Sequence, residues 1–176
     1  TINGEWGTLG TWWSNSYKAI SRANTILDNL GRAAGQVPES TISRFAAEAR
    51  FVRASQYAML ISHFGDVVFF TNVLDLDEAF TLGRTSKSTI LQAIYEDYDF
   101  AALHLPESYG SNELSRATKG AALAMKARIA LYNGDWSVAR AAALACMALN
   151  KYQLYPDYGE LFLSKTKNTS EMIFGF

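Results

Sequence analysis

Residues 116–150 read RATKGAALAMKARIALYNGDWSVARAAALACMALN, and two alanine-rich helical patterns meet there with almost no connection between them. Gly134 can adopt the left-handed backbone that ends one helix, and Asp135 can accept the unpaired N–H groups that begin the next. Trp136 is expected to fill the wedge beside the turn. Small side chains let helix backbones approach closely, and we expect the two helices to face each other through Ala121, Ala124, Ala127, Ala130, Ala139, Ala142, Ala145 and Ala148. The pattern predicts a tight helix hairpin, which is typical of stacked-helix scaffolds that bind rather than catalyse.

The composition is that of a globular domain without a strong charge bias. The chain has 176 residues, of which 49% are hydrophobic, so it can bury a sizeable core. Its net charge of -1 gives no electrostatic basis for binding nucleic acid or an anionic membrane. Cys146 is the only cysteine, so we expect a core residue and exclude an intrachain disulfide or thiolate zinc cluster.

Targeting and membrane segments are not evident in the sequence. No apolar run approaches the roughly 20 residues that a membrane-spanning helix needs. The chain begins at Thr1 without a basic, hydrophobic leader, so any targeting segment is expected to lie outside this sequence.

Apolar periodicity marks three further helices, at about residues 10–30, 40–64 and 86–105. The first has an inner face of Trp13, Tyr17, Ile20, Asn24 and Leu27. The second is apolar on two sides, with Ile42, Phe45, Ala49, Val52 and Met59 on one and Phe51, Ala54, Ala58 and Ile61 on the other. The third faces inward through Ile90, Leu91, Ile94, Tyr98 and Ala101.

The remaining segments are short. We predict extended backbone at residues 65–71 and 152–155, a terminal strand at 171–176, a helix at 157–163, and polar loops at 72–84 and 107–115. The predicted fold is therefore mainly all-α, an irregular tetratricopeptide-like array of stacked helix hairpins with short extended segments.

Several strings follow one another in a distinctive order. They include WWSNSYKAISRANTILDNL at residues 12–30, AEARFVRASQYAMLISHFGDVVFFT at 47–71, YEDYDFAALHLP at 95–106, LYNGDWSVA at 131–139 and NTSEMIFGF at 168–176. This series resembles the N-terminal half of the SusD/RagB family, the surface lipoproteins with which Bacteroidetes bacteria capture glycans. The resemblance covers almost the whole chain, and the departure at residues 56–60, QYAML, leaves the fold class unchanged.

The resemblance implies a set of properties. Residues 1–176 would form a single SusD-like N-terminal helical domain, a fragment of a longer protein in the outer membrane. That surface-exposed lipoprotein would be attached only through a lipid anchor outside this sequence. It would bind a starch-like or other polysaccharide or oligosaccharide, or a peptide in some relatives, and deliver it to a TonB-dependent, SusC-like transporter. In the family the helical repeats mostly pack on that transporter, and aromatic loops elsewhere meet the ligand.

Catalytic motifs are missing from the sequence. It contains no GxSxG, HExxH or glycine-rich phosphate loop and no nucleophilic cysteine constellation, so we expect neither an enzyme nor a cofactor. A glycosidase needs two facing carboxyl groups, whereas Glu96, Asp97 and Asp99 are too close in sequence to point together. No carboxylates at liganding spacing accompany His63 or His104, so no metal site is expected and both histidines are interpreted as structural.

Charged residues on the second helix are interpreted as architectural. Glu48, Arg50 and Arg53 lie on a helix that is packed on two sides, so we expect buried ion pairs there. We hypothesise in particular that Glu48 is buried beside an arginine.

The N-terminal aromatic residues form the predicted ligand surface. Sugar rings stack their C–H faces on tryptophan, and their hydroxyl groups need amide or carboxylate partners. Trp12 and Asn15 are three apart on one side of a helix and could supply both functions. Trp6 precedes that helix in a glycine-flanked loop, and Trp13 is the most core-like of the set. The carbohydrate-binding candidates are therefore Trp6, Trp12, Trp13 and Asn15.

The sequence leaves two alternatives to glycan binding. The alternative is a tetratricopeptide-like scaffold for protein–protein interaction that grips a partner's peptide in a concave groove. A lipoprotein leader in the full gene, or binding of polysaccharide rather than peptide, would favour the glycan-binding protein. A helical hydrolase is disfavoured because no catalytic site is visible.

Overall fold

Long helices build the first of the chain's two compact units, Thr1–His104. The computed structural model describes residues 7–110, 113, 115–163 and 169–175. The helices of this unit are α1 (Gly7–Asn29), α2 (Glu39–Phe64), the short α3 (Leu76–Thr81) and α4 (Lys87–His104). Helix α2 packs against α1 on one side and α4 on the other. The mainly all-α prediction is confirmed.

Helix α1 buries the face that its periodicity predicts. Ile20 and Asn24 are fully buried, and Trp13, Tyr17 and Leu27 are half-buried. The helix ends in a 3-10 turn at Leu30–Ala33. Gly35, which has a φ of 77°, then redirects the chain into α2. The two helices then run antiparallel as a hairpin.

Helices α2 and α4 form the centre of this unit. All five predicted inward residues of α4 are buried, as are Phe51, Ala54 and Ile61 of α2. The other predicted apolar side of α2 is largely wrong, because Phe45, Val52 and Met59 are 36–42% exposed. The Ser16 hydroxyl on α1 lies 3.9 Å from the Met59 sulfur, and the three side chains stay partly exposed.

The segment after α2 is extended, as predicted. Gly65 ends α2 with a φ of 72°, and strand β1 (Val67–Val68) pairs antiparallel with β2 (Arg84–Thr85). The predicted loop at 72–84 is wrong in its middle, where α3 forms. Asp75 accepts the Glu78 N–H at 2.8 Å, and the Glu78 side chain accepts the Asp75 N–H, so a capping box starts the helix.

The second unit, Leu105–Phe176, contains the hairpin of residues 116–150. Helix α5 (Lys119–Tyr132) packs on α6 (Trp136–Met147), and Gly134 between them has a φ of 76°. Asp135 caps α6 by accepting the Val138 N–H. The predicted tight hairpin is confirmed, as are the predicted roles of Gly134 and Asp135 in its turn.

The contacts within this hairpin differ in part from the prediction. Ala121, Ala130, Ala139 and Ala142 are buried, whereas Ala145 and Ala148 are exposed. Cys146 is buried as expected, and its Sγ lies 3.6 Å from the Gly120 carbonyl oxygen, so it forms the contact with α5 at this end of α6.

Trp136 does not fill the wedge beside the turn. It is 68% exposed, because it begins α6 with its side chain turned toward solvent.

The C-terminal part of this unit is less regular than predicted. A 3-10 turn at Glu160–Phe162 takes the place of a helix. Residues 152–155 and the described part of the predicted terminal strand, 171–175, form no ladder. One backbone bond joins Gln153 N–H to the Ser170 carbonyl at 3.0 Å, and Ser170–Glu171 turn instead of continuing as a strand. Phe176 lies outside the described residues.

Candidate functional site

An aromatic cluster joins the start of α1 to the end of α2. Trp12 contacts His63 edge to face at 5.5 Å between ring centroids, and Trp13 contacts Phe64 at 5.1 Å in the same way. Trp13 also packs on Tyr17, one turn further along α1, at 5.0 Å. Edge-to-face contacts of this kind stabilise beyond simple burial. The cluster fixes both indoles on a helical framework.

The predicted site residues occupy different positions in this cluster. Trp12 is 39% exposed and Asn15 is exposed, three residues away on the same helix. Trp13 is half-buried and supports the cluster from behind. Trp6 lies outside the described residues. The exposed pair therefore offers an apolar ring and an amide to solvent, with Trp13 as their support.

A second feature is the anchored segment, residues 68–72, which is held by side chains more than by a sheet. The Tyr17 hydroxyl donates to the Val68 carbonyl at 2.8 Å. The Tyr57 hydroxyl donates to the Phe70 carbonyl at 2.8 Å and accepts the Phe70 N–H at 2.9 Å. Buried backbone groups need such partners, and α1 and α2 supply them.

The next two carbonyls of the anchored segment are bonded by a buried polar network. Arg53 Nη1 donates to the Thr71 carbonyl at 3.1 Å, and Asn24 Nδ2 donates to the Asn72 carbonyl at 3.0 Å. Arg53 also donates to Asn24 Oδ1 at 2.9 Å. Because one amide and one guanidinium serve both the helices and the segment, the loop is fixed relative to α1 and α2.

The charge of Arg53 is balanced by Asp97 on α4. Its Nε and Nη2 donate to the two carboxylate oxygens at 2.7 and 2.8 Å, and both residues are 6% exposed. Such a bidentate pair is both strong and geometrically specific. Arg50 lies 3.8 Å from the same carboxylate and stacks over Phe100 at 4.1 Å. The expected buried ion pair therefore exists at Arg53, with a partner on another helix, while Glu48 is half-buried.

The two tyrosines that bond the anchored segment remain protonated donors over a wide pH range. Burial raises the pKa of Tyr17 from 10.0 to about 12, against the opposing effect of its bond to the Val68 carbonyl. Burial also raises the pKa of Tyr57. Ionisation of a phenol would remove its donor proton, so the raised pKa values preserve the anchoring bonds.

The two histidines make local contacts at the helix ends. His63 Nδ1 lies 2.8 Å from the Met59 carbonyl oxygen, and His104 packs on Phe100 at 4.4 Å. Within the described ranges, no group of three or more His, Cys, Asp or Glu side chains is arranged to hold a metal ion. No helix in the same ranges is long and apolar enough to cross a bilayer.

Sequence reasoning missed the anchoring network because its members come from three helices. Asn24 carried a signal, since an amide stood on an otherwise apolar face. No sequence signal distinguishes Asp97, because Glu96 and Asp99 are close to it and the pattern does not indicate which carboxylate turns inward.

The paired helices and irregular connections define a tetratricopeptide-like helical protein. Residues 2–131 match the family model SusD-like, described as "Starch-binding associating with outer membrane". The chain belongs to the SusD-like family, as its motifs indicated.

Relatives and solved structures resemble most of this chain. It is 31% identical over 161 residues to SusD-like protein P25 of Formosa agariphila, covering 92% of this chain and 30% of that protein. A SusD-like protein of Bacteroides fragilis has a TM-score of 0.86 at 30% identity, over 93% of this chain and 32% of that one. A laminarin-binding SusD-like protein has a TM-score of 0.87 at 29% identity, over 93% and 36%. The chain thus spans about a third of the length of these proteins.

Proposed function

We propose that this protein binds glycans at the bacterial cell surface, without chemical change, and delivers them to a TonB-dependent, SusC-like outer-membrane transporter. The observation that carries the proposal is the exposed pair Trp12 and Asn15 on a rigid aromatic cluster. An indole face suits the C–H face of a sugar, and an amide can both donate to and accept from its hydroxyl groups.

The rigidity of the framework favours ligand binding, because its side chains are already ordered. Trp12 is held from one side by His63, and the neighbouring Trp13 is fixed by Phe64 and Tyr17. Pre-ordered groups lose little conformational entropy when a ligand arrives. A glycan could therefore gain affinity from a small contact area.

The relatives support the ligand class. The matching family is described as starch-binding, and a structural neighbour of 29% identity is named for laminarin, a β-glucan. We propose a polysaccharide or oligosaccharide as the ligand, with laminarin, starch and xyloglucan as the first to test. Non-catalytic capture is proposed because the family description and the name of one structural neighbour both specify binding.

Exposed apolar residues on α1 and α2 support the proposed delivery to a transporter. Ile26 on α1 and Phe45, Val52 and Met59 on α2 are 36–48% exposed, and the α2 residues recur every seventh position along one line. Contiguous exposed apolar surface is typical of protein contact surfaces, and we propose that this line of α2 contributes to one. A surface-exposed lipoprotein of the outer membrane, anchored by a lipid outside this sequence, is proposed from the family.

Affinity electrophoresis of the full-length protein through gels with laminarin, starch or xyloglucan tests the proposal. Trp12→Ala is expected to weaken retention by about tenfold, equivalent to roughly 1.4 kcal/mol, and Asn15→Ala by less. Trp136→Ala is the matched control, since it removes another exposed tryptophan, on α6. Equal retention of Trp12→Ala and Trp136→Ala would place the ligand elsewhere, and no retention of the wild type by any glycan would refute glycan binding.

A further inference from the structure

A depression of about 430 Å³ lies against the anchored segment, on the side where α3 faces it. Its volume falls within the range of small-molecule sites. Phe69 and Phe70 from the segment, with Leu82, supply apolar walls, and Asn72, Glu78 and Thr81 supply polar ones. None of these residues was a candidate from the sequence.

The apolar walls are supported from behind. Phe70 stacks on Tyr17 at 6.1 Å with an angle of 13° between the rings, and Phe69 packs on Tyr57 at 4.9 Å. Both tyrosines also bond the backbone of the anchored segment. The phenyl rings are thus set in place before any ligand arrives.

The polar wall is rich in hydrogen-bond acceptors. Glu78 Oε2 accepts the Asp75 N–H at 3.3 Å, which leaves a carboxylate with most of its lone pairs for further donors. Thr81 donates its hydroxyl to the Glu78 carbonyl at 2.8 Å, and Asn72 donates its amide to the Val73 carbonyl at 3.1 Å. The oxygens of both side chains can still accept hydrogen bonds.

Apolar rings beside a wall of acceptors suit one chemical class well. A sugar ring has apolar C–H faces and a rim of hydroxyl donors, so it can stack on phenyl rings while donating to a carboxylate. A phosphate or an acidic peptide would instead meet the negative charge of Glu78. The lining of the depression therefore disfavours anions and suits a neutral saccharide.

The backbone that carries these groups is pre-ordered. The carbonyls of Val68, Phe70, Thr71 and Asn72 are each bonded by a helix side chain, and the capping box holds α3 at its start. A binding site on such a loop does not have to be ordered by its ligand.

We propose that this depression is a saccharide subsite that binds a ring of the captured glycan through Phe69, Phe70, Asn72, Glu78 and Thr81. The subsite is additional to the exposed surface at Trp12 and rests on the proposed glycan-binding function.

Titration of the full-length protein with laminarin, starch and xyloglucan oligosaccharides tests the subsite. Glu78→Gln preserves an acceptor for the capping box but removes the carboxylate charge. Thr81→Val removes the hydroxyl at nearly constant shape. Asp77→Asn is the matched control, because Asp77 lies beside Glu78 on α3 and does not line the depression.

Glu78→Gln is expected to weaken binding by about three- to tenfold, since hydrogen bonds to charged groups exceed neutral ones. Thr81→Val is expected to weaken it about threefold, with Asp77→Asn equal to the wild type. Equal binding by both subsite variants, while Trp12→Ala still lowers affinity, would overturn the subsite and leave the glycan-binding proposal standing. An equal loss in Asp77→Asn would overturn the subsite in favour of a general charge effect. Wild-type protein that binds none of the three glycans would overturn both proposals.

Discussion

Arg53 and Asp97 join α2 to α4 through two parallel hydrogen bonds of 2.7 and 2.8 Å. The same guanidinium reaches the Thr71 carbonyl and the Asn24 amide, so one buried cation connects three helices to the anchored segment. Its partners satisfy the charge in the interior, where an unpaired ion would be strongly unfavourable.

Replacing Asp97 by Asn should destabilise the protein by about 3–5 kcal/mol, because Arg53 would remain buried without its counter-charge. Urea unfolding of the full-length protein measures the change. Glu96→Gln, on the exposed side of the same helix, should change the free energy of unfolding by less than about 0.5 kcal/mol. Equal effects of the two substitutions would contradict the structural role of the pair.

Removing the Tyr57 hydroxyl should loosen the anchored segment. Tyr57→Phe leaves the N–H and carbonyl of Phe70 without this partner, which should cost about 1–3 kcal/mol. Hydrogen exchange of the Phe70 amide should accelerate more than exchange within α2. Tyr132→Phe, at a highly exposed tyrosine, provides the control, and an unchanged Phe70 exchange rate would argue against anchoring.

Alkaline pH should weaken the fold through Tyr17. Its folded pKa of about 12 lies above the ordinary 10.0, so its contribution to stability is complete below pH 10. As pH rises from 10.0 to about 12, the unfolded chain ionises first and the free energy of unfolding falls. Urea titrations across this interval, compared with Tyr17→Phe, measure the effect. A variant with the same pH slope as the wild type would show that other groups cause the loss.

Substitution by alanine should have opposite effects on stability at Gly134 and at Gly10. Gly134 has a φ of 76° at the α5–α6 turn, so Gly134→Ala should destabilise the protein by about 1–2 kcal/mol. Gly10 lies within α1 with open space around it, so Gly10→Ala should stabilise it by about 0.5–1 kcal/mol. Thermal unfolding separates the two, and a shift of both in one direction would contradict the assigned backbone conformations.

Local patterns in the sequence account for the helices well. The apolar spacing of α4 and the Gly134–Asp135 turn each depend on nearby residues, so periodicity and capping chemistry were sufficient. Helix α3 was missed although Asp75 and Glu78 carry the spacing of a capping box, because six helical residues give too short an apolar pattern to notice.

The proposed binding surfaces were harder to predict because they depend on contacts between distant residues. The exposed indole of Trp12 could be proposed from its place on α1. The depression beside α3 could not, since its apolar and polar walls are brought together only when residues 68–72 are anchored on α1 and α2. The exposure of Trp136 shows the opposite error, because a large apolar residue at a helix start was assumed to be buried.

The anchored segment also has a consequence for solubility. An extended stretch rich in valine and phenylalanine, such as VVFFT at residues 67–71, would ordinarily expose a strand edge that can pair with other chains and start aggregation. Here the hydroxyl, amide and guanidinium groups of Tyr17, Tyr57, Asn24 and Arg53 already bond three of its carbonyls, those of Val68, Phe70 and Thr71. Side chains of α1 and α2 therefore bond backbone carbonyls that could otherwise pair with a strand of a second molecule.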